Sequence, residues 1–148
     1  MKDGLRTAFL ISGGGTTMAA ALDAISCGRL TGIVPACVIA SKPDAGGIAN
    51  AVDRGIDEAN IIIVKRRDFS SPENYAEALL FFLRRKGVRL VSQNGWLPMT
   101  LRAVIGEYPG MIINQHPGPL HPGRPDFGGK GMFGRAVHAA RLYFVRPR

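Results

Sequence analysis

The chain has 148 residues, 46% of them hydrophobic and 20% charged, and carries a formal net charge of +8 at pH 7. This length gives room for one hydrophobic core and not for two full domains, so we expect a single domain over residues 1–148. No apolar stretch reaches the length of a membrane span and no signal-peptide pattern opens the sequence. These features exclude an integral membrane protein and favour the cytoplasm.

Apolar strand-like runs alternate with helix-like segments along the chain. The predicted strands are residues 7–11, 33–40, 61–64, 90–93 and 111–114, and the predicted helices are residues 16–27, 45–54, 70–86 and 100–107. A final helix is expected after Asp126, and residues 143–145 look like a strand. Because the strands are nearly continuous apolar runs, they predict an α/β fold, an open and mostly parallel sheet with helices on both faces.

The third helix has a distinct start signal. Residues 70–73 (SSPE) are typical of a helix N-terminus, with a Ser cap, Pro in the first turn and a Glu that completes a capping box. We expect this helix to end before Gly87 and to bury Tyr75, Leu79 and Phe82.

A glycine-rich segment, residues 12–17 (SGGGTT), follows the first strand and opens the first helix. Three glycines let the backbone approach an anion closely, and the helix N-terminus offers unpaired N–H groups. A dinucleotide fingerprint does not fit, because Met18 stands where the third glycine belongs and Ser41-Lys42 replace the acid that would hold a ribose. The segment therefore favours a single phosphate over NAD. A glycine-rich turn without a ligand remains the alternative for this segment alone.

The last predicted sheet strand leads into a loop rich in Pro and Gly that carries Asn114 and His116. Residues two apart on a strand point the same way, so we expect both side chains to project into one pocket. An Asn amide can donate to a developing oxyanion, and a His can give and take a proton near neutral pH. The pair predicts an acyl-transfer site at the carboxyl end of the sheet. A turn His packed between prolines is the alternative for this motif alone.

The histidines and cysteines form no metal-ligand pattern. His116, His121 and His138 lack the spacing and the Cys or carboxylate partners of zinc sites, so no metal is expected. We expect His121 to pack in a loop and His138 to lie on a helix surface. Cys27 and Cys37 have no Cys-x-x-Cys arrangement, and we expect both to be buried, reduced thiols.

The positive charge suits an anionic small molecule, and it would also suit nucleic acid. It is concentrated at residues 65–67, at residues 84–86 and near the C-terminal end, without the aromatic residues of a nucleic-acid-binding motif. Scattered Lys and Arg most often lie at the surface in contact with solvent, so we give this charge little weight. We expect small-molecule substrates and neither a nucleic-acid nor a membrane partner, and a homodimer is left open.

Three motifs together resemble the phosphoribosylglycinamide formyltransferase family: residues 10–17 (LISGGGTT), residues 41–45 (SKPDA) and residues 114–117 (NQHP). The resemblance runs from about Thr7 to His138. It implies a Rossmann-like formyltransferase fold and transfer of a formyl group to the amine of glycinamide ribonucleotide, with 10-formyltetrahydrofolate as the cosubstrate.

The resemblance also implies roles for individual residues. One group binds the substrate phosphate, a second lines the folate pocket, and a third stabilises the oxyanion and moves the proton. These groups are Gly15, Thr16 and Thr17 for the phosphate; Leu97, Pro98, Met99 and Asn114 for the folate; and Asn114 and His116 for catalysis.

The chain departs from the family at several positions. Pro72 stands where relatives often carry an Arg that contacts the folate, which predicts the loss of one charged contact. The glycine-rich segment 126–132 is longer than expected and could form a lid or an altered acceptor site. The family also relies on an Asp that would follow residues 143–145, and no residue here can be assigned its role. We therefore expect either a part of a longer protein, lacking the family's C-terminal part, or a relative with impaired chemistry.

Three alternative functions follow from these departures. The acceptor could be another amine, such as a nucleotide sugar or an aminoacyl-tRNA. The chain could be a non-catalytic relative that binds folate or nucleotide. An NAD-linked oxidoreductase is disfavoured by Met18 and by the missing ribose acid.

Overall fold

The computed structural model describes residues 4–118 and 135–145 of the chain. The chain divides into two compact units, residues 1–114 and residues 115–148. The first unit contains β1 (Leu5–Ile11), α1 (Thr16–Ser26), β2 (Ile33–Ala40), α2 (Gly47–Val52), β3 (Ile61–Ile63), α3 (Pro72–Arg85), β4 (Leu90–Asn94), α4 (Arg102–Glu107) and β5 (Ile112–Asn114), and the second contains α5 (Arg135–Val145).

The strands of the first unit form one sheet in the order β3-β2-β1-β4-β5, and every pairing in it is parallel. This arrangement confirms the predicted open parallel α/β sheet. The strand order changes direction between β1 and β4. In open α/β sheets, this position and the carboxyl ends of the strands beside it form the crevice in which ligands bind.

Hydrophobic clusters cover the two faces of the sheet, and β1 contributes to both. Its side chains alternate, as they must on a strand, so that Ala8 and Leu10 join one cluster and Phe9 and Ile11 the other. The first cluster contains buried residues of α3, and the second contains Met18 and Leu22 of α1. Helices therefore cover both faces, as the sequence predicts.

The Ser cap and the first-turn Pro predicted for α3 are confirmed, but the capping box, which would require Ser70 as the N-cap, is wrong. Ser71, rather than Ser70, is the N-cap, and its hydroxyl oxygen accepts a hydrogen bond from the backbone N–H of Asn74 at 3.1 Å. Pro72 then occupies the first helical position, where its missing N–H costs nothing. Glu73 therefore comes one position too early to complete the box. The Asn74 side chain instead donates to the Ser70 hydroxyl at 3.1 Å.

The burial predicted for α3 is confirmed in part. Tyr75 and Leu79 are buried, whereas Phe82 is only half-buried at the edge of the cluster.

Two further predictions on local structure need correction. Residues 143–145 belong to α5 rather than to a strand, because the preceding residues from Arg135 onward already form a continuous helix. The helix α2 is shorter than predicted at both ends. It begins at Gly47, whose N–H donates to Gly13 outside the helix. His138 lies exposed on α5, as predicted.

The two cysteines differ in environment. Cys37 is buried in β2 as predicted, and burial raises the pKa of its thiol to about 11. Cys27 is exposed, which contradicts the prediction, because it follows the last residue of α1 at the surface. The side chain of Arg29 donates to its sulfur at 3.2 Å and lowers the pKa of the thiol.

None of the helices in the described residues is long and apolar enough to cross a bilayer. The predictions made for His121 and for segment 126–132 lie outside the described residues. The assignment of residues 1–148 to a single domain stays a prediction.

Replacement of Ser71 by Ala is expected to destabilise the chain by about 1 kcal/mol, because it removes the side chain that caps the N-terminus of α3. Urea unfolding followed by circular dichroism measures this loss. Glu73→Ala is the comparison variant and should lower the free energy of unfolding by less, because Glu73 completes no capping box and contributes only its charge in the first turn of α3. Equal losses in the two variants would contradict the observed cap.

Candidate active site

The loops that follow β1, β2 and β4 meet at one buried side-chain oxygen. The hydroxyl oxygen of Ser12 accepts a hydrogen bond from the backbone N–H of Leu97 at 2.9 Å and another from the Ser41 hydroxyl at 2.7 Å. Ser12 follows β1, Ser41 follows β2 and Leu97 follows β4. The sequence-predicted phosphate residues and the predicted folate residues therefore begin from neighbouring strands.

The glycine loop, residues 12–17, requires glycine at Gly15 for two reasons. The φ of Gly15 is +62°, in the left-handed region that other residues adopt at a cost. A Cβ at this position would also lie 2.9 Å from the Cα of Gly47. Thr16 and Thr17 follow directly as the exposed first residues of α1. All three predicted phosphate residues therefore lie at the N-terminus of one 11-residue helix.

The carbonyl groups of the glycine loop are engaged with the protein itself. Gly13 O accepts from the N–H of Gly47 at 2.9 Å, and Gly14 O accepts from the side-chain amide of Asn50 at 2.7 Å. Within the described residues, the N–H groups of Gly13, Gly14 and Thr16 donate to no protein acceptor. The loop therefore offers donors to a ligand, an arrangement that suits an anion.

The β4 loop, residues 95–101, presents apolar side chains to solvent on a fixed backbone. Leu97 is 62% exposed and Met99 is 82% exposed, and Pro98 between them is half-buried. The hydrogen bond from the Leu97 N–H to Ser12 holds the middle of the loop. Residues near the two ends of the loop are also joined, because the side-chain amide of Gln93 donates a hydrogen bond to the hydroxyl of Thr100. Large exposed apolar groups on a constrained loop are typical of a ligand-contacting surface.

A cleft of about 880 Å³ lies beside the β4 loop. The three residues at positions 97–99 and Leu101 line one part of it, and the remaining lining comes from the loop after β2, the segment after β3 and the start of α3. The residues from these three elements are Ser41, Lys42, Pro43, Asp44, Lys65, Arg66, Arg67, Pro72 and Tyr75. This volume is within the range of small-molecule sites, and the cleft brings together the three predicted folate residues of the β4 loop.

Cations surround the cleft, and two of them have acidic partners. Lys65 forms an ion pair with Asp68 at 2.9 Å, and Lys42 lies 3.5 Å from Asp44. Arg67 is exposed and has no ion pair in the part of the chain that the structure describes. The cleft therefore combines apolar surface with an excess of positive charge.

The buried phenol of Tyr75 lines the same cleft. Tyr75 is 1% exposed, and its hydroxyl has no hydrogen-bond partner among the described residues. The guanidinium of Arg66 lies 5.7 Å from the centre of its ring. Burial raises the pKa of Tyr75 to about 12, so the phenol is protonated at neutral pH and can act as a donor.

Asn114 is the last residue of β5 and pairs in register with Gln93 of β4. Its exposed side chain therefore lies at the carboxyl edge of the sheet, as predicted. The strand ends at Asn114, so the argument from strand alternation does not extend to His116. His116 belongs to the second unit and is half-buried. The joint placement of Asn114 and His116 stays a prediction.

Sequence reasoning missed two features of the cleft. The segment 65–67 was treated only as surface charge, although it follows β3 and the carboxyl-edge rule could have placed it. The unpartnered hydroxyl of Tyr75 had no sequence signal, because the spacing of apolar residues in α3 marked this residue only as core.

No cluster of three or more His, Cys, Asp or Glu side chains that could hold a metal occurs in the ranges 4–118 and 135–145.

Comparison with known proteins identifies relatives of the chain. The formyl transferase profile matches residues 5–140. The chloroplastic phosphoribosylglycinamide formyltransferase of Arabidopsis thaliana is 32% identical over 139 residues, and the enzyme of that name from Haemophilus influenzae is 30% identical over 146 residues. These alignments cover 93% and 95% of the chain, but 44% and 65% of the two relatives.

A solved structure gives the same result for the fold. The crystal structure of glycinamide ribonucleotide transformylase 1 from Symbiobacterium toebii matches with a TM-score of 0.80 and 27% identity, over 99% of this chain and 63% of that protein. This match confirms the predicted Rossmann-like formyltransferase fold, and the profile match confirms the resemblance drawn from the motifs. The chain belongs to the formyl transferase family, and the relatives described here are phosphoribosylglycinamide formyltransferases.

Proposed function

We propose that the chain takes part in transfer of a formyl group from 10-formyltetrahydrofolate to the amine of glycinamide ribonucleotide, a step of purine synthesis. One observation carries the proposal. A donor-rich glycine loop and an exposed apolar loop beside a cleft extend from the neighbouring strands β1 and β4 and are joined through Ser12.

The glycine loop supports binding of the nucleotide's phosphate. Its carbonyl groups are occupied by α2 and α1, so a ligand at the exposed side meets N–H groups and the hydroxyls of Thr16 and Thr17. The N-terminal end of α1 adds a favourable dipole for a negative charge. We assign the phosphate to Gly15, Thr16 and Thr17.

The cleft supports binding of the folate. Leu97, Pro98 and Met99 offer apolar contacts for an aromatic ring system, and the nearby cations offer partners for the carboxylates of its glutamate tail. Pro72 lines this cleft and supplies no charge, whereas Lys65, Arg66 and Arg67 bring three cations to it. These cations can supply the charged contacts to the folate that Pro72 cannot make.

The proposed chemistry requires a donor for the oxyanion and a group that moves a proton. The substrate amine attacks the formyl carbon, and the carbonyl oxygen takes up the developing negative charge. The side-chain amide of Asn114 donates to this oxygen. His116 accepts the proton released by the amine and delivers it to the departing folate nitrogen as the bond between that nitrogen and the formyl carbon breaks.

We further propose that the partners of the chain are small molecules and that neither nucleic acid nor a membrane takes part. The reaction is proposed to take place in the cytoplasm, and a homodimer is the assembly to be tested. No metal takes part in the proposed steps.

Thr16→Asp is expected to weaken binding of glycinamide ribonucleotide by at least about tenfold, because a carboxylate would face the phosphate across a few ångströms. Folate affinity should stay unchanged. Isothermal titration with each ligand measures both affinities. Thr16→Asn is the control, since it is close to Asp in size but carries no charge. If both ligands were weakened equally, or neither were, the glycine loop would be a structural turn only.

Arg67→Ala is expected to weaken binding of a folate with several glutamates by about two- to fivefold at low salt, in keeping with the strength of an exposed ion pair. The loss should shrink as salt is added and be smaller for a folate with one glutamate. The matched control is Arg85→Ala, which removes an exposed Arg at the last residue of α3. Equal losses in both variants would indicate a general charge effect and contradict a tail site at the cleft.

Asn114→Ala is expected to lower turnover by about two to three orders of magnitude, the usual cost of losing one oxyanion donor. Binding of the nucleotide should persist. Initial rates of formyl transfer with both substrates at saturation test this. Ile113→Ala, which truncates the exposed neighbouring residue on β5, is the control and should remain close to the unmodified chain. Near-normal turnover in the Asn114 variant would overturn its assignment.

A further inference from the structure

Ser12 is a buried polar residue at the point where the two proposed ligand sites meet. It is 2% exposed and immediately precedes the three glycines of the glycine loop. Its hydroxyl oxygen is 2.9 Å from the backbone nitrogen of Leu97, a residue that is distant in sequence. This bond joins the glycine loop directly to the β4 loop.

The bond helps to set where the middle of the β4 loop lies, beside Trp96 and Leu101, which pack against the core. Gln93 and Thr100 are bonded to each other near the two ends of the loop, and Gly95 turns the chain with a φ of +73°. Between these points, the bond from Leu97 to Ser12 holds the backbone of the loop against the sheet. The side chains of Leu97 and Met99 remain largely exposed, so their packing contributes little to fixing the loop.

A hydroxyl at position 12 therefore affects a ligand that it does not itself contact. Without it, the Leu97 N–H would lose its acceptor at a partly buried position, and the middle of the loop would be free to move toward another partner. Such a movement would shift the apolar side chains at positions 97 and 99 relative to the glycine loop. In a two-substrate reaction, small errors in the distance between the reacting groups lower the rate strongly.

We propose that Ser12 is a positioning residue, whose hydroxyl sets the β4 loop against the glycine loop and thereby fixes the folate relative to the nucleotide. This inference rests on the proposed function for the identity of the two ligands. The tether itself rests on the geometry alone.

Ser41 provides the matched comparison. Its hydroxyl donates to the same oxygen at 2.7 Å, and Ser41 also lines the cleft. Ser41→Ala removes that bond and leaves the bond between Leu97 and Ser12 in place. Ser12→Ala removes both bonds. Ser12→Thr keeps an oxygen that can accept from Leu97.

The first measurement is hydrogen exchange of the Leu97 amide in the full 148-residue chain, followed by NMR. Ser12→Ala should speed exchange at Leu97 by roughly tenfold relative to the unmodified chain, whereas Ser41→Ala should leave it slow. Amides of β1 and β2 report whether the sheet of each variant is intact. Slow exchange at Leu97 in a folded Ser12→Ala chain would overturn the tether.

The second measurement is binding of each ligand by titration. Ser12→Ala should weaken the folate by roughly tenfold and leave glycinamide ribonucleotide binding unchanged, and Ser12→Thr should restore most of the folate affinity. Equal loss for both ligands, or failure of the Thr variant to restore slow exchange and folate affinity, would overturn the positioning role. If the unmodified chain bound neither ligand while Leu97 exchanged slowly, the proposed function would fail and the tether would stand.

Discussion

Parallel pairing of β1 with strands on both of its edges is the constraint on which the rest of the first unit depends. The five residues from Thr7 to Ile11 are all buried, and they pair with β2 on one edge and β4 on the other. Because the strands run in the same direction, the loops that follow them emerge at one edge of the sheet. The glycine loop, the β4 loop and Asn114 therefore lie at the same edge before any specific contact between them is considered.

Close backbone contact then shapes the glycine loop. Gly15 and Gly47 approach so closely that a Cβ on either would clash, and α2 binds two of the loop's carbonyl oxygens through Gly47 and Asn50. This packing turns the carbonyl groups toward the protein and leaves N–H groups for a ligand. The anion site proposed at this loop thus depends on a short helix that contributes no charge of its own.

The cleft beside the β4 loop combines exposed apolar side chains with polar groups whose partners are few. Leu97 and Met99 remain largely in solvent, while their loop is held by the bond from Leu97 to Ser12 and by the packing of Trp96 and Leu101. Tyr75 has its ring in the core and a hydroxyl that finds no partner in the described residues. A folded chain usually satisfies buried polar groups and covers large apolar ones, so these exceptions support the proposal that a ligand binds in the cleft.

The sequence by itself determined the α/β class, the strand positions and the residues of the glycine loop, because continuous apolar runs and glycine-rich turns encode local structure directly. It also placed Asn114 at the end of a strand. Local pattern failed where neighbouring positions compete or where burial depends on distant contacts. It predicted a capping box with Glu73 that does not form, assigned residues 143–145 to a strand and predicted that Cys27 is buried.

Only the tertiary structure decided which loops meet. The contact of Ser12 with Leu97 joins residues 85 positions apart, and the cations after β3 face the same cleft as the β4 loop. A residue's spacing in sequence specifies which face of its own helix or strand it occupies. It does not specify which other element will supply the opposing group, because that is set by the order of strands in the sheet. Local sequence therefore indicates which residue types belong to the candidate site, whereas the fold determines which of them lie together.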